Sequence, residues 1–267
     1  MNWNDEYWEQ MERLYWDPRR LGCRRIIELC QDCQKKKPNS QVHGYGSVIA
    51  RLQNSEVPFN DILNLFLRIA PARMSGRLFG SCFGITPFDE AFTFIGHGIQ
   101  ESLGLNHANI TQQDVFLLGT ETILMIEVKI AAKSSLLQLA KYALLAALEQ
   151  QKSTVRKRPC LLYLTPTKPF PQIWSEKFKT SEDVLQAFLD YDPRRCGKPS
   201  LEKMFNRNFS GYRSTVERIE VRFMTYSALV QTLHRQRREL DATFFGDETL
   251  IRLIDGLAEA IESRKLA

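Results

Sequence analysis

Two carboxylates, one lysine and one glutamine stand on segments that otherwise predict a buried core. Asp114 comes directly before a short apolar run, and Glu127 and Lys129 stand at the end of the apolar run that begins at Ile123. Gln138 follows on a predicted helix. Buried strands carry charges only where the charges are paired or bind a metal ion. The pattern therefore predicts a site for a divalent cation, of the kind that activates water for hydrolysis.

Strand geometry brings the two carboxylates together. Side chains alternate across a strand, so Glu127 and Lys129 share one face. A hairpin that turns through residues 119–122 puts Asp114 opposite Glu127, with facing Cβ atoms about 4.5–5.5 Å apart. Carboxylates this close repel unless one is protonated or a cation lies between them, and Mg²⁺ or Mn²⁺ prefers oxygen ligands. A three-residue loop would instead put Asp114 opposite Ile126 and separate the carboxylates.

The helix after Lys129 is expected to cover this site. Gln138 and Tyr142 are four residues apart and therefore lie on one helix face. The connection from Lys129 to the helix is only a few residues long. The first half of the helix can thus fold back over the end of the strand that carries Glu127.

The order of elements needed to position these residues predicts an α/β protein. Residues 1–75 read as a helical extension, with an aromatic stripe over 3–16 and later helices at 43–53 and 58–70; residues 76–267 read as the core with its C-terminal helices. Within that core the patterns predict helices at 87–104, 134–151, 181–190, 226–238 and 247–264, strands at 115–118, 123–130, 160–165 and 217–224, and a basic loop near 193–200.

The set of site residues resembles the PD-(D/E)XK nuclease superfamily. Asp114 followed by Glu127-Val128-Lys129 is similar to its two-strand signature, although Gln113 stands where the family often has proline. The Gln138-x-x-x-Tyr142 element resembles a motif of the RecB-like and lambda-exonuclease-like branches. The resemblance covers roughly residues 85 to 165, about a third of the chain.

This resemblance implies a restriction-endonuclease-like mixed sheet flanked by helices, and a nuclease that hydrolyses DNA in defence, repair or mobile-element processing. It implies that Asp114, Glu127 and the Val128 backbone carbonyl bind Mg²⁺ or Mn²⁺, and that Lys129 orients or deprotonates the attacking water. Gln138 would position the site, with Tyr142 in support. The family often has a further catalytic glutamate on the helix before the first strand. Glu90 is the first candidate for it and Glu101 the second, and this glutamate would bind the cation through water or hold a second ion.

Charge and composition are compatible with a nucleic-acid partner without requiring one. The formal net charge is +5 over 267 residues. A basic stretch interleaved with aromatic residues predicts either a phosphate-binding surface or an ordinary solvated face. Its basic members are Arg194, Arg195, Lys198, Lys203, Arg207 and Arg213.

The sequence also bears on a membrane, a secretory and an iron–sulfur interpretation. No apolar run reaches about 18 residues and no secretory signal is evident, so we expect a cytoplasmic protein with free thiols and no membrane partner. Cys23, Cys30 and Cys33 could form part of an iron–sulfur site, but buried small side chains are the favoured interpretation. A catalytically inactive nucleic-acid-binding or assembly subunit, with a protein partner or as a homo-oligomer, stays open as the alternative function.

Overall fold

A computed structural model describes residues 56–85, 90–95, 110, 114–130, 133–166, 174 and 178–267. The predictions for residues 1–55, including the aromatic stripe and the three N-terminal cysteines, lie outside the described residues, as do Glu101 and Gln113. In the ranges described, no helix combines the length and apolar character needed to cross a bilayer.

A five-stranded mixed sheet forms the centre of the described part of the chain, as the α/β prediction requires. The strands lie side by side in chain order. The first three pair antiparallel, and the third, fourth and fifth pair parallel. They are β1 (Thr93–Phe94), β2 (Val115–Leu118), β3 (Thr122–Val128), β4 (Arg158–Thr165) and β5 (Glu220–Thr225).

Helices cover both faces of this sheet. In chain order they are α1 (Glu56–Ile69), α2 (Met74–Phe79), α3 (Leu136–Lys152), α4 (Ser181–Asp190), α5 (Pro199–Arg207), α6 (Phe209–Val216), α7 (Tyr226–Arg238) and α8 (Phe245–Glu262), with short 3₁₀ turns at Gly80–Phe83 and Pro193–Arg195. Predicted helices 181–190 and 226–238 are confirmed with their bounds unchanged. The predicted basic loop near 193–200 is instead a 3₁₀ turn that leads into α5.

Strand β3 is buried along its whole length, and its side chains enter two separate cores. Leu124, Ile126 and Val128 belong to the core that includes α1, α7 and α8. Ile123 and Met125 belong to the core beneath α3. A strand covered on both faces reads as a nearly continuous apolar run, which explains why an interior charge on it stands out in the sequence.

Helix α1 is part of the core and not of a separate extension. Phe59, Ile62, Leu63 and Phe66 are fully buried and share a cluster with the sheet. The boundary placed at residue 75 therefore does not separate α1 from the sheet.

The helix predicted over 87–104 is wrong for the described residues 90–95. Thr93 and Phe94 form β1 and pair with Leu118 and Leu117 of β2. Burial alternates there, with Glu90 and Phe92 buried and Ala91 and Thr93 exposed. The apolar spacing also fits a helix, but pairing with the edge of β2 satisfies the backbone and decides the conformation.

Candidate active site

The register of the β2–β3 hairpin is the one that the sequence predicts. Val115 pairs with Ile126 and Leu118 pairs with Ile123. Gly119 donates its N–H to the Thr122 carbonyl at 2.8 Å, which closes the turn. One residue beyond the Val115–Ile126 pair, Asp114 therefore comes opposite Glu127.

Glu127 is the centre of a cluster that also includes Asp114, Lys129, Gln138 and Tyr142, here called the carboxylate cluster. Only 3% of Glu127 is exposed and 8% of Lys129. Lys129 Nζ lies 2.6 Å from Glu127 Oε1. Tyr142 donates its hydroxyl to Glu127 Oε2 at 2.5 Å, and Gln138 Nε2 lies 3.5 Å from the same oxygen. The structure thus brings together five of the side chains that the sequence places in one site.

Tyr142 connects the two carboxylate residues. Its hydroxyl donates to Glu127 and accepts the backbone N–H of Asp114 at 3.3 Å. Burial, followed by the negative charges of Glu127 and Asp114, raises the pKa of Tyr142 well above its ordinary value of 10.0. Tyr142 is therefore a neutral hydrogen-bond donor at any physiological pH.

The beginning of α3 fixes Gln138 and Tyr142 over the end of β3. Ser135 is the N-cap of α3, and its hydroxyl accepts the Gln138 N–H at 3.3 Å. Ser134 is buried and its hydroxyl lies 3.1 Å from that of Tyr163 on β4. These contacts anchor the short connection from β3, so the helix begins close to Glu127.

The Asp114 carboxylate accepts hydrogen bonds from two other elements of the protein. Its Oδ2 accepts the backbone N–H of Val128 at 2.7 Å. Its Oδ1 accepts from Nδ2 of Asn60 on α1. The Asp114 carboxylate thus accepts the Val128 N–H at the end of the hairpin, in place of a backbone carbonyl of a paired strand.

Asn60 is a contact of the site that the sequence did not predict. One signal could have revealed it: Asn60 and Asn64 lie four apart among Phe59, Leu63 and other residues that prove to be buried. A buried amide on the apolar face of a helix requires a partner, just as the buried charges on β3 do.

The donor set of the carboxylate cluster suits a hard divalent cation. Asp114 and Glu127 supply carboxylate oxygens, and each oxygen has more than one lone pair, so an internal hydrogen bond does not exhaust it. In a strand the N–H and C=O of one residue point to the same side. The Lys129 N–H, in the same peptide group as the Val128 carbonyl, donates to Leu164 on β4, so that carbonyl points to the opposite side, toward β2. Oxygen donors of this kind fit Mg²⁺ or Mn²⁺, which keep several water ligands.

The protein ligands in the cluster are few. Over the described ranges, no group of three or more histidine, cysteine, aspartate or glutamate side chains is placed to hold an ion. A bound cation would therefore depend on two carboxylates, a backbone carbonyl and water.

Glu90 does not belong to the cluster, so its predicted part in metal binding and catalysis is wrong. Its Oε1 accepts the backbone N–H groups of Glu121 and Thr122 at 2.6 and 2.9 Å. The Thr120 hydroxyl lies 3.3 Å from the same oxygen. This turn is at the opposite end of β3 from Glu127, about 16 Å away at 3.3 Å per residue. Glu90 caps the hairpin turn, a tertiary contact that helical spacing could not predict.

Two side chains of the basic stretch, Arg194 and Arg213, interact with other residues of the protein. Arg194 pairs with Asp192 at 2.9 Å and lies 3.8 Å above the centre of the Phe209 ring. Arg213 donates to the Leu189 carbonyl at 2.6 Å. Arg194 is nonetheless exposed, as are Arg195, Lys198, Lys203 and Arg207.

Lys141 links this stretch to the carboxylate cluster. Lys141 is half-buried on α3, between Gln138 and Tyr142 in sequence. Burial, and then the positive charge of Lys198, lower the pKa of Lys141, while the Glu127 carboxylate acts in the opposite sense. Leu201 and Phe205 of α5 pack in the core beneath α3, so this part of the basic stretch lies on the same side of the sheet as the site.

Comparison with known proteins adds no relative: no family model, no curated protein and no solved structure matches the chain.

Proposed function

We propose that this protein is a nuclease that depends on Mg²⁺ or Mn²⁺ and hydrolyses phosphodiester bonds in DNA on a restriction-endonuclease-like fold. One observation carries the proposal. Asp114 and Glu127 face each other across the β2–β3 hairpin, and Lys129 lies 2.6 Å from Glu127. Carboxylates that hold a cation beside an ammonium group are what hydrolysis of a phosphodiester needs.

Each residue of the carboxylate cluster has a part in this proposal. Asp114, Glu127 and the Val128 carbonyl would hold the cation. When bound, it lowers the pKa of water and neutralises charge on the phosphoryl oxygen. The Lys129 ammonium group orients the attacking water and stabilises the negative charge that develops on the phosphate. Tyr142 keeps the Glu127 carboxylate in place, and Gln138 positions the substrate backbone beside it.

The substrate follows from charge and from the resemblance. A net charge of +5 and the exposed Arg195, Lys198, Lys203 and Arg207 favour a polyanion. DNA is chosen over RNA because the proteins that the motif resembles mostly act on DNA. We place the activity in the cytoplasm, in defence, repair or mobile-element processing, where the free thiols of Cys82, Cys160 and Cys196 stay reduced.

Cleavage assays test this proposal. Plasmid, linear duplex and single-stranded DNA are incubated with purified protein and Mg²⁺, Mn²⁺ or EDTA. We expect DNA cleavage that EDTA stops. Glu127→Gln and Lys129→Met should each slow this cleavage by at least about a hundredfold. Cleavage that persists equally in both variants would show a contaminating enzyme and refute the proposal.

Two neighbouring residues supply matched controls. Glu121 is an exposed carboxylate in the turn of the same hairpin, and Lys133 is an exposed lysine just after β3. Glu121→Gln and Lys133→Met remove the same charges outside the cluster. Both variants should cleave within about twofold of wild type, because surface charges rarely affect chemistry at a distance.

A second candidate function is nucleic-acid binding without catalysis. The observation in its favour is that both Glu127 oxygens already have partners inside the protein, in Lys129 and Tyr142. A site that has lost its metal would also look like this. DNA binding without cleavage in every metal tested would favour this function over hydrolysis.

A further inference from the structure

Helix α1, which contacts the carboxylate cluster through Asn60, has two buried amides with polar atoms that lack hydrogen-bond partners in the described structure. Asn60 is 8% exposed and Asn64 is 9% exposed. Within the described part of the chain, Asn60 Oδ1 and both amide atoms of Asn64 accept or donate no hydrogen bond. Buried polar atoms of this kind are rare in native proteins and call for a role.

Within the described structure, only the Asn60 amide is hydrogen-bonded to the site. Asn60 Nδ2 donates to Asp114 Oδ1. The other oxygen of Asp114 accepts the Val128 N–H at 2.7 Å. Together the two donors fix the plane of the Asp114 carboxylate from opposite elements, α1 and β3.

Helix α1 is held firmly enough to serve this purpose. Phe59 precedes Asn60, is fully buried and packs edge-on against Tyr226, with the ring centres 5.4 Å apart. Tyr226 in turn donates its hydroxyl to the Lys129 carbonyl at 3.2 Å. The same contact chain therefore fixes the position of Asn60 and the backbone of Lys129.

At position 60 a neutral amide side chain suits a metal site better than a positively charged side chain would. Asn60 orients the Asp114 carboxylate through a neutral N–H, so it leaves the negative charge of Asp114 available to a metal ion. Its unused Oδ1 is a further oxygen donor in the same buried region, suited to an ordered water.

We propose that Asn60 is a positioning residue of the metal site, which holds the Asp114 carboxylate in the orientation that binds the cation. This inference rests on the proposed function. Residues that orient metal ligands typically change metal affinity or activity by about 10- to 100-fold when they are removed.

Asn64 provides a matched control, because it lies one turn along the same helix, is buried to a similar degree and makes no side-chain hydrogen bond in the described structure. Asn60→Leu and Asn64→Leu are compared with wild type. Mn²⁺ binding is measured from the electron paramagnetic resonance signal of the free ion. Cleavage of linear duplex DNA is measured over a range of Mn²⁺ concentrations. Circular dichroism and thermal unfolding show whether each variant is folded.

We expect Asn60→Leu to raise the Mn²⁺ Kd, and the Mn²⁺ concentration for half-maximal cleavage, by about 10- to 100-fold. The rate at saturating Mn²⁺ should stay within about threefold of wild type, because the reacting groups are intact. Asn64→Leu should match wild type in both measurements. If Asn60→Leu does not fold, Asn60→Ala removes the amide without adding bulk.

Two results would overturn the inference alone: wild-type Mn²⁺ affinity in Asn60→Leu, or equal weakening in Asn60→Leu and Asn64→Leu, which would indicate a general packing effect. Wild-type protein that neither binds Mn²⁺ nor cleaves DNA would instead overturn the proposed function, and this inference with it.

Discussion

The Tyr142 hydroxyl lies 2.5 Å from Glu127 Oε2 and joins helix α3 to the central strand of the carboxylate cluster. We expect Tyr142→Phe to keep the fold, because the ring still fills its place, and to reduce cleavage by about 10- to 100-fold. The loss of a hydrogen bond to a buried carboxylate should lower the free energy of unfolding by about 1–3 kcal/mol. Urea unfolding and the plasmid assay measure the two effects.

Tyr212→Phe is the control for that variant. Its hydroxyl is buried and has no hydrogen-bond partner in the described structure. Removal of this group should leave stability unchanged or higher, and cleavage unchanged. An equal loss of activity in both variants would contradict a specific role for Tyr142.

The Tyr142 contact also predicts the behaviour of the protein in alkali. The pKa of Tyr142 is raised above its unfolded value of 10.0, so the neutral form is favoured by folding. The stabilisation is therefore fully present below about pH 10 and is lost as the pH rises toward the folded pKa. The difference in unfolding free energy between wild type and Tyr142→Phe should be constant near neutrality and shrink above about pH 10. If this difference in unfolding free energy grew above about pH 10, the predicted direction of the pH dependence would be wrong.

Glu90 should matter for stability and not for cleavage. Its carboxylate accepts the N–H groups of Glu121 and Thr122, and Gly119 lets it approach because a Cβ there would lie 2.0 Å from Oε1. We expect Glu90→Ala and Gly119→Ala each to destabilise the protein by about 1–3 kcal/mol. Thermal unfolding measures the loss, and cleavage well below Tm should equal that of wild type. A hundredfold loss of cleavage in folded Glu90→Ala would restore Glu90 to the site.

The ion pair between Arg158 and Glu220 predicts that wild type is more stable than Arg158→Gln at neutral pH and loses this advantage in acid. Arg158 Nε and an NH₂ group contact the two Glu220 oxygens at 2.5 and 2.8 Å. The hydrogen bond from Arg158 lowers the pKa of Glu220 below 4.5. The stabilisation is thus present above about pH 4.5 and is lost as the pH falls through the folded pKa. Arg158→Gln should lower Tm by a few degrees at pH 7, and its melting curve should converge with that of wild type in acid.

The exposed basic side chains should govern DNA affinity. We expect Lys203→Gln and Arg207→Gln each to weaken binding of catalytically inactive protein and to reduce the slope of log Kd against log salt by about 1. Arg194→Gln should change the slope less, because Arg194 is paired with Asp192 and stacked on Phe209. Fluorescence anisotropy with a labelled duplex at several salt concentrations measures these slopes. Slopes in all three variants that equal the wild-type slope would show that the basic stretch is an ordinary solvated face.

The parts of the site that the sequence predicts are those set by local rules. Alternation along β3 and a two-residue turn determine that Asp114 faces Glu127, and helical spacing determines that Gln138 and Tyr142 share a face. The residues that were misplaced or missed depend on contacts between distant segments. Glu90 reaches the hairpin turn over 31 residues and Asn60 reaches Asp114 over 54. No periodicity within one segment reports such a contact.

The hydrogen bond from Tyr226 to the Lys129 carbonyl spans 97 residues of sequence. During synthesis the hairpin leaves the ribosome long before Tyr226 does, so Lys129 lacks this support until β5 and the start of α7 have been made. Assembly of the site is thereby postponed until Tyr226 has been translated, and a nascent or prematurely terminated chain that ends before Tyr226 should carry all five cluster residues without their native arrangement.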